Sequence, residues 1–244
     1  MFSKIKVGGP AFAEWSVDNG TVDRFVKHLN ENNVSIDFLS WHTYSRKTED
    51  YLKRAKIVRN ALDTNGYKDT ESILNEWNYL ITWDDVGKSA EKIREIEGAC
   101  LTSAVMASAQ NSSIDMLMYY DAIPTTIWNG LFKAYTMERL KGFYPFLWFS
   151  KLYEIGKQVE VVSDDEDIYV VASSNNERTA IMVTYYTYDE QAREKNVKIS
   201  LDDIKEYEIT VISEKRDVEV IGRFEGRSFS LNLHSNSIVF IESK

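Results

Sequence analysis

The strongest constraint on the fold is a change of sequence pattern near residue 157. Before it, short apolar segments alternate with stretches whose apolar side chains recur at helical spacing, as Val22, Val26 and Leu29 do. After it, runs rich in β-branched residues are separated by polar turns. The first pattern is typical of parallel βα units and the second of antiparallel sheets. The 244 residues suffice for one large domain or two small ones.

Four βα units account for the first region. Their strands are predicted at 5–8, 36–44, 72–78 and 114–120. The helices are predicted at 21–30 with Thr21 as N-cap, from the second strand to Leu62, and at 89–110 and 145–155. A complete (β/α)8 barrel takes about 250 residues, so four units amount to half a barrel or a small open sheet.

The second region predicts a small antiparallel β-sandwich. Six short strands are expected at 168–173, 180–186, 196–200, 207–213, 229–233 and 237–242. Strands of this length separated by polar turns are typical of sandwiches. We therefore predict two domains, a partial (β/α) barrel over 1–157 and a β-sandwich over 158–244.

Charge and hydropathy argue against nucleic-acid and membrane partners. The net charge is −9, whereas nucleic-acid binding needs a basic face. No stretch reaches the roughly 18 apolar residues of a membrane span. Gly8, Gly9 and Pro10 interrupt the amino-terminal stretch before the apolar part of a signal peptide can form. The sequence as given therefore predicts a cytoplasmic protein, or a secreted one if a signal peptide lies upstream.

The cysteine and histidines predict neither a disulfide nor a metal site. Cys100 is the single cysteine and lies in the apolar run 99–105, where we expect it inside a helix. His28, His42 and His234 are scattered and show no metal-ligand spacing. The chain also lacks a Walker motif, a G-x-G-x-x-G loop and a G-x-S-x-G elbow. We expect no cofactor.

Polar side chains follow the predicted strands, at the edge where βα barrels carry their active sites. Glu76 follows the apolar residues Ile73-Leu74 of the third strand and is flanked by Asn75, Trp77 and Asn78. A carboxylate among aromatic and amide groups suits attack on an anomeric carbon, as in retaining glycosidases. The alternative is structural, with Glu76 capping the next helix or pairing with an arginine.

Further candidates lie at the ends of the second and fourth strands. His42 and Tyr44 alternate along the second strand and so face the same side. His42 could orient Glu76 or bind a sugar hydroxyl, or it is a core residue with satisfied hydrogen bonds. Tyr120 ends the fourth strand, and Trp128 follows downstream. Such rings stack on sugars but also fill cores, so both readings of the aromatic residues stay open.

Three segments in this order resemble a known family. They are Lys6-Val7-Gly8-Gly9-Pro10-Ala11, residues 36–44 (IDFLSWHTY) and residues 74–78 (LNEWN). At βα-unit spacing, and followed by a β-rich region, they resemble glycoside hydrolase family thirty-nine, which contains β-xylosidases and α-L-iduronidases.

The resemblance implies a role for each segment. The first four strands would be barrel strands five to eight, followed by the family's β-sandwich. Glu76 would be the nucleophile, and His42, Tyr44, Asn75, Trp77, Tyr120 and Trp128 would bind substrate. The family's general acid/base lies in an Asn-Glu-Pro motif just before the first segment, and this sequence does not contain it.

Three functions follow as hypotheses. The first is a retaining, β-xylosidase-like glycoside hydrolase acting on plant-type or microbial polysaccharides or oligosaccharides, with little activity when the acid/base half is missing. The second is a non-catalytic carbohydrate-binding protein or truncated remnant, and the third a βα domain without a sugar role. An open half barrel exposes strand edges and apolar faces, so self-association is a further expectation.

Overall fold

The first region forms a four-stranded parallel sheet in the order β1-β2-β3-β4. The computed structural model describes residues 5–189 and 191–243, with the backbone alone at 202–204. The strands are β1 (Gly8–Phe12), β2 (Phe38–Tyr44), β3 (Glu71–Asn78) and β4 (Met116–Tyr119). The helices are α1 (Glu14–Asp18), α2 (Thr21–Glu31), α3 (Thr48–Thr64), α4 (Val86–Ile93), α5 (Ile96–Ala109) and α6 (Phe143–Ile155), with a 3₁₀ turn at Trp83–Asp85.

Strand alternation divides the side chains of this sheet between two faces. Leu39, Trp41 and Leu74 point outwards and are fully buried in the core that the helices share. The opposite face is open and carries His42, Tyr44 and Glu76 of β2 and β3. The predicted α/β class is confirmed for this region. The assignment of these strands to barrel positions five to eight stays a prediction.

Three local predictions for this region were wrong. The first strand is Gly8–Phe12 rather than 5–8, because Gly9 and Pro10 continue the pairing with β2 instead of stopping it. The N-cap of α2 is Gly20, with a left-handed φ of 77°, and not Thr21. The helix predicted at 89–110 is broken into α4 and α5.

The break between α4 and α5 has a steric cause. A side chain at Gly98 would place its Cβ only 2.5 Å from the carbonyl oxygen of Ile93. Glycine lets the start of α5 lie against the end of α4, so the chain turns at residues 94–95. Periodicity alone does not reveal this close approach.

The second region is a six-stranded antiparallel sheet in the order β5-β6-β7-β10-β8-β9. Its strands are β5 (Gln158–Val159), β6 (Ile168–Ser174), β7 (Thr179–Tyr185), β8 (Lys195–Ser213), β9 (Glu219–Leu233) and β10 (Ser237–Ser243). The predicted strands at 196–200 and 207–213 are two parts of β8. Because β8 and β9 are long, the sheet curls and covers its own apolar face. The predicted sandwich would instead have two separate sheets packed against each other.

Helix α5 lies between the two sheets and joins the regions into one core. It is buried along almost its whole length, and Ser103 forms a buried hydrogen bond with Thr184 of β7. Trp148 of α6 stacks on Phe240 of β10, with ring centroids 5.4 Å apart. The boundary near residue 157 stays a prediction.

Strand β4 forms one edge of the parallel sheet and exposes apolar side chains. Met116 and Met118 are 45% and 44% exposed on the open face. Pairing of two copies through this face stays a prediction. Within the part of the chain that the structure describes, no helix combines the length and apolar character needed to cross a bilayer.

Candidate active site

Glu76 lies beside His42 on the open face of the parallel sheet, near the carboxyl ends of β2 and β3. The pairing of these strands shifts by one residue, from Trp41 opposite Leu74 to His42 opposite Glu76. Without the shift Glu76 would lie opposite Thr43, whose side chain is buried on the helix side. The extra residue, Asn75, therefore turns the carboxylate to the open face, as β-bulges do near active sites.

Tyr44 holds the Glu76 carboxylate. Its phenol donates a 2.8 Å hydrogen bond to Oε2 of Glu76. Burial raises the pKa of Tyr44 well above its ordinary value, and the bond to Glu76 raises it further. The phenol therefore stays protonated and donates at neutral pH. The bond holds the carboxylate oxygen in a fixed position, as the attack of a nucleophile requires.

His42 and Asn75 neighbour Glu76 in the sheet, and each has a buried polar atom without a hydrogen-bond partner. The Nδ1 atom of His42 is 3.4 Å from Oε2 of Glu76, too long for a strong hydrogen bond. Nε2 of His42 and Oδ1 of Asn75 are buried and have no hydrogen-bond partner. Unpaired buried polar atoms are costly, so two of them on residues that neighbour Glu76 in the sheet fit a site that binds hydroxyl groups.

Three aromatic rings, those of Tyr44, Trp83 and Trp128, form a wall beside Glu76. The centroid of Tyr44 is 4.8 Å from that of Trp128 and 5.4 Å from that of Trp83. The two indoles are 5.9 Å apart. The indole N–H of Trp83 donates a 2.8 Å hydrogen bond to Oε1 of Glu14. The site therefore combines carboxylates with aromatic faces, which suits sugar rings.

Asn78 holds the segment that carries two of the predicted site residues. Its buried side-chain amide donates to the carbonyl oxygens of Tyr120 at 2.6 Å and Trp128 at 2.7 Å. The Tyr120 side chain is partly exposed and lies near enough to Tyr44 to contribute to the raised pKa of that phenol. The last residue of β3 thus fixes the position of the chain that follows β4.

The structure places Trp77 away from this site. It is only 1% exposed and packs edge-on against Tyr51 and Tyr119 in the core. Successive side chains of a strand point to opposite faces, so Trp77 points towards the helices because Glu76 points to the open face. The predicted substrate contact of Trp77 therefore has no geometric support. Trp41 is buried on the same side, where its indole donates to Ser72. The other predicted residues, Glu76, His42, Tyr44, Asn75, Tyr120 and Trp128, lie at or beside the site.

The alternative roles considered for Glu76 do not match the observed contacts. The 3₁₀ turn and α4 are capped by Thr82 and Asp85. The side-chain partners observed for Glu76 are Tyr44 and His42. Among residues 5–189 and 191–243, no group of three or more His, Cys, Asp or Glu side chains could hold a metal ion.

Sequence reasoning missed Glu14, Trp83 and Asn78. The signal for Glu14 was available, because it is an acidic residue just after β1, where βα folds place functional groups. Asn78 was part of the quoted 74–78 segment. Trp83 follows the same strand by five positions, but nothing local indicates that its ring turns back over the sheet.

Comparison with known proteins identifies the fold. No protein-family model and no curated protein matches this sequence. A glucosidase from Croceicoccus marinus is similar with a TM-score of 0.73 at 18% identity, covering 98% of this chain and 60% of that one. A monomeric β-xylosidase from Caulobacter crescentus has a TM-score of 0.72 at 15% identity, covering 98% and 61%. A GH30 endoxylanase from Clostridium papyrosolvens has a TM-score of 0.63 at 14% identity, covering 99% and 56%.

These neighbours show that the chain has a glycoside hydrolase fold. At identities of 18% and below, they do not single out family thirty-nine. The chain spans about three-fifths of the length of the glucosidase and of the β-xylosidase.

Proposed function

We propose that this chain carries the nucleophile of a retaining glycoside hydrolase and that Glu76 is that nucleophile. The observation behind the proposal is the position of the Glu76 carboxylate. It lies on the open face of a parallel sheet, bonded to a buried phenol and bordered by aromatic rings. The glycoside hydrolase fold of the chain supports it.

Few side chains take part in the proposed hydrolysis of the glycosidic bond. An oxygen of Glu76 forms a bond to the anomeric carbon while the bond to the leaving oxygen breaks and that oxygen takes the electron pair. Water later attacks the glycosyl–enzyme, releases the sugar and gives its proton to a base. Tyr44 holds the carboxylate in place. Among the unpaired atoms, Oδ1 of Asn75 can accept a hydrogen bond from a sugar hydroxyl, and Nε2 of His42 can donate or accept one according to its tautomer.

We propose a β-xylosidase-like substrate, a small xyloside or an oligosaccharide from plant-type or microbial polysaccharides. The support is the resemblance of residues 6–11, 36–44 and 74–78 to family thirty-nine, together with the similarity in fold to a β-xylosidase and an endoxylanase. The general acid/base that protonates natural leaving groups is proposed to come from residues outside these 244.

An activated leaving group tests the nucleophile without the acid. Dinitrophenolate departs without protonation, so the chain is expected to release it from dinitrophenyl β-xyloside. Glu76→Gln should abolish release, because an amide does not form the glycosyl ester. Glu154→Gln is the matched control, since Glu154 is exposed on α6. Equal release by the wild type and Glu76→Gln would refute the proposal.

A non-catalytic carbohydrate-binding protein is the second candidate. The unpaired atoms of His42 and Asn75 and the aromatic wall favour sugar binding with or without turnover. Calorimetry with xylobiose separates the two functions. Binding without release of dinitrophenolate would favour the second.

A further inference from the structure

Glu14 and Trp83 connect two segments that are far apart in the sequence. Glu14 is the first residue of α1, just after β1, and Trp83 begins the 3₁₀ turn after β3. The 2.8 Å bond from the indole N–H to the carboxylate spans 69 positions of the chain. It joins the two segments at the edge of the sheet where Glu76 lies.

Trp83 needs such a partner because the residue is 54% exposed. The observed ring contacts of Trp83 are edge-on, to Tyr44 and to Trp128, and leave much of the indole open to solvent. An exposed indole on a short turn has several staggered rotamers available. A hydrogen bond to a carboxylate is directional and stronger than one to a neutral acceptor, so it selects one rotamer.

We propose that Glu14 is a positioning residue that fixes Trp83 as one wall of a binding site for an uncharged pyranose ring. The ligand class follows from the exposed indole of Trp83, which suits the C–H side of a sugar ring. This indole lies against Tyr44, whose phenol is bonded to the Glu76 carboxylate. This inference rests on the proposed function and extends it to the sugar-stacking wall.

The chemistry of the bond predicts a specific pattern among variants. Glu14→Ala removes the acceptor and frees the indole. Glu14→Gln keeps an acceptor oxygen and should restore most of the effect. Trp83→Phe keeps a ring but has no N–H, so Glu14→Ala should have little further effect in that background. A merely stabilising role for Glu14 would not produce this dependence on the N–H of residue 83.

Two measurements test the proposal on the full chain. The first is near-ultraviolet circular dichroism, which reports the coupled rings of Trp83, Trp128 and Tyr44. It should change in Glu14→Ala and recover in Glu14→Gln. The second is calorimetry with xylobiose, where Glu14→Ala should bind roughly two- to tenfold more weakly and Glu14→Gln close to the wild type. Unfolding midpoints identify variants that fail to fold, and Glu154→Ala is the control.

The outcomes separate this inference from the function on which it rests. Unchanged xylobiose affinity in folded Glu14→Ala would overturn the positioning role, and the nucleophile proposal would stand. A wild-type chain that binds no xylobiose would overturn the sugar-stacking wall, even where dinitrophenolate release still supports Glu76. Loss of affinity in Glu14→Gln equal to that in Glu14→Ala would show that charge matters rather than the bond to Trp83.

Discussion

The hydrogen bond from Tyr44 to Glu76 predicts a measurable coupling free energy between these side chains. Tyr44→Phe removes only the phenol oxygen, and the ring keeps its contacts with Trp83 and Trp128. Glu76→Gln keeps an acceptor oxygen and removes the charge. A double-mutant cycle of the two variants therefore isolates the charge-assisted part of the bond.

The structure sets the size of this coupling. A hydrogen bond to a charged group contributes about 1.5–3 kcal/mol and a neutral one about 0.5–1.5 kcal/mol, a difference of about 1 kcal/mol. Tyr44 is buried, but the Glu76 side chain is 33% exposed, so water partly replaces the phenol. We expect a coupling of about 0.5–1 kcal/mol and a cost of about 1–1.5 kcal/mol for Tyr44→Phe alone.

Urea unfolding of the wild type, both single variants and the double variant at neutral pH measures the coupling. Tyr153→Phe is the matched control, because Tyr153 is 80% exposed on α6 and its loss of a hydroxyl should change stability by less than about 0.5 kcal/mol. Additive effects within about 0.3 kcal/mol would refute a charge-assisted hydrogen bond between the phenol and the carboxylate.

Three further predictions follow from burial and exposure. Trp77→Phe should lower the free energy of unfolding by about 1–3 kcal/mol and leave xylobiose affinity unchanged, because the ring lies in the core; weaker binding by a stably folded variant would contradict that placement. Burial raises the pKa of Tyr51 and Tyr186 in the folded chain above the ordinary value of 10.0, so stability should fall as pH rises above about 10, by up to about 1.4 kcal/mol per unit for each phenol; urea unfolding checks this, and a flat profile would contradict it. The exposed Met116 and Met118 predict association at high concentration, and light scattering that returns the monomer mass throughout would contradict it.

Much of the first region could be predicted from the sequence because its periodicity is strong. Apolar spacing located α2 within one residue at each end, and polar residues in the last part of β2 and β3 pointed to the open edge of the sheet. The prediction that His42 and Tyr44 share a side needed only strand alternation. Both contact Glu76 in the structure.

Other features depend on contacts that local patterns do not encode. Simple alternation from the buried Leu74 would turn Glu76 towards the helices, and only the register shift at Asn75 reverses this. The same shift sends Trp77 into the core. The pairing of Glu14 with Trp83 joins residues 69 positions apart. The second region forms a single curled sheet instead of a sandwich because β8 and β9 are long. The sequence prediction divided β8 into two strands and shortened β9, so it did not show their length.

The most direct test of Glu76 as the nucleophile is the site of covalent labelling. A fluorinated xyloside with an activated leaving group forms a glycosyl–enzyme that hydrolyses slowly, so peptide mass spectrometry can locate the sugar. We predict the label on Glu76 in the wild type and in Glu154→Gln, and no label in Glu76→Gln. Label on another side chain, such as Glu14 or Asp121, or a wild-type chain that takes no label, would contradict the assignment.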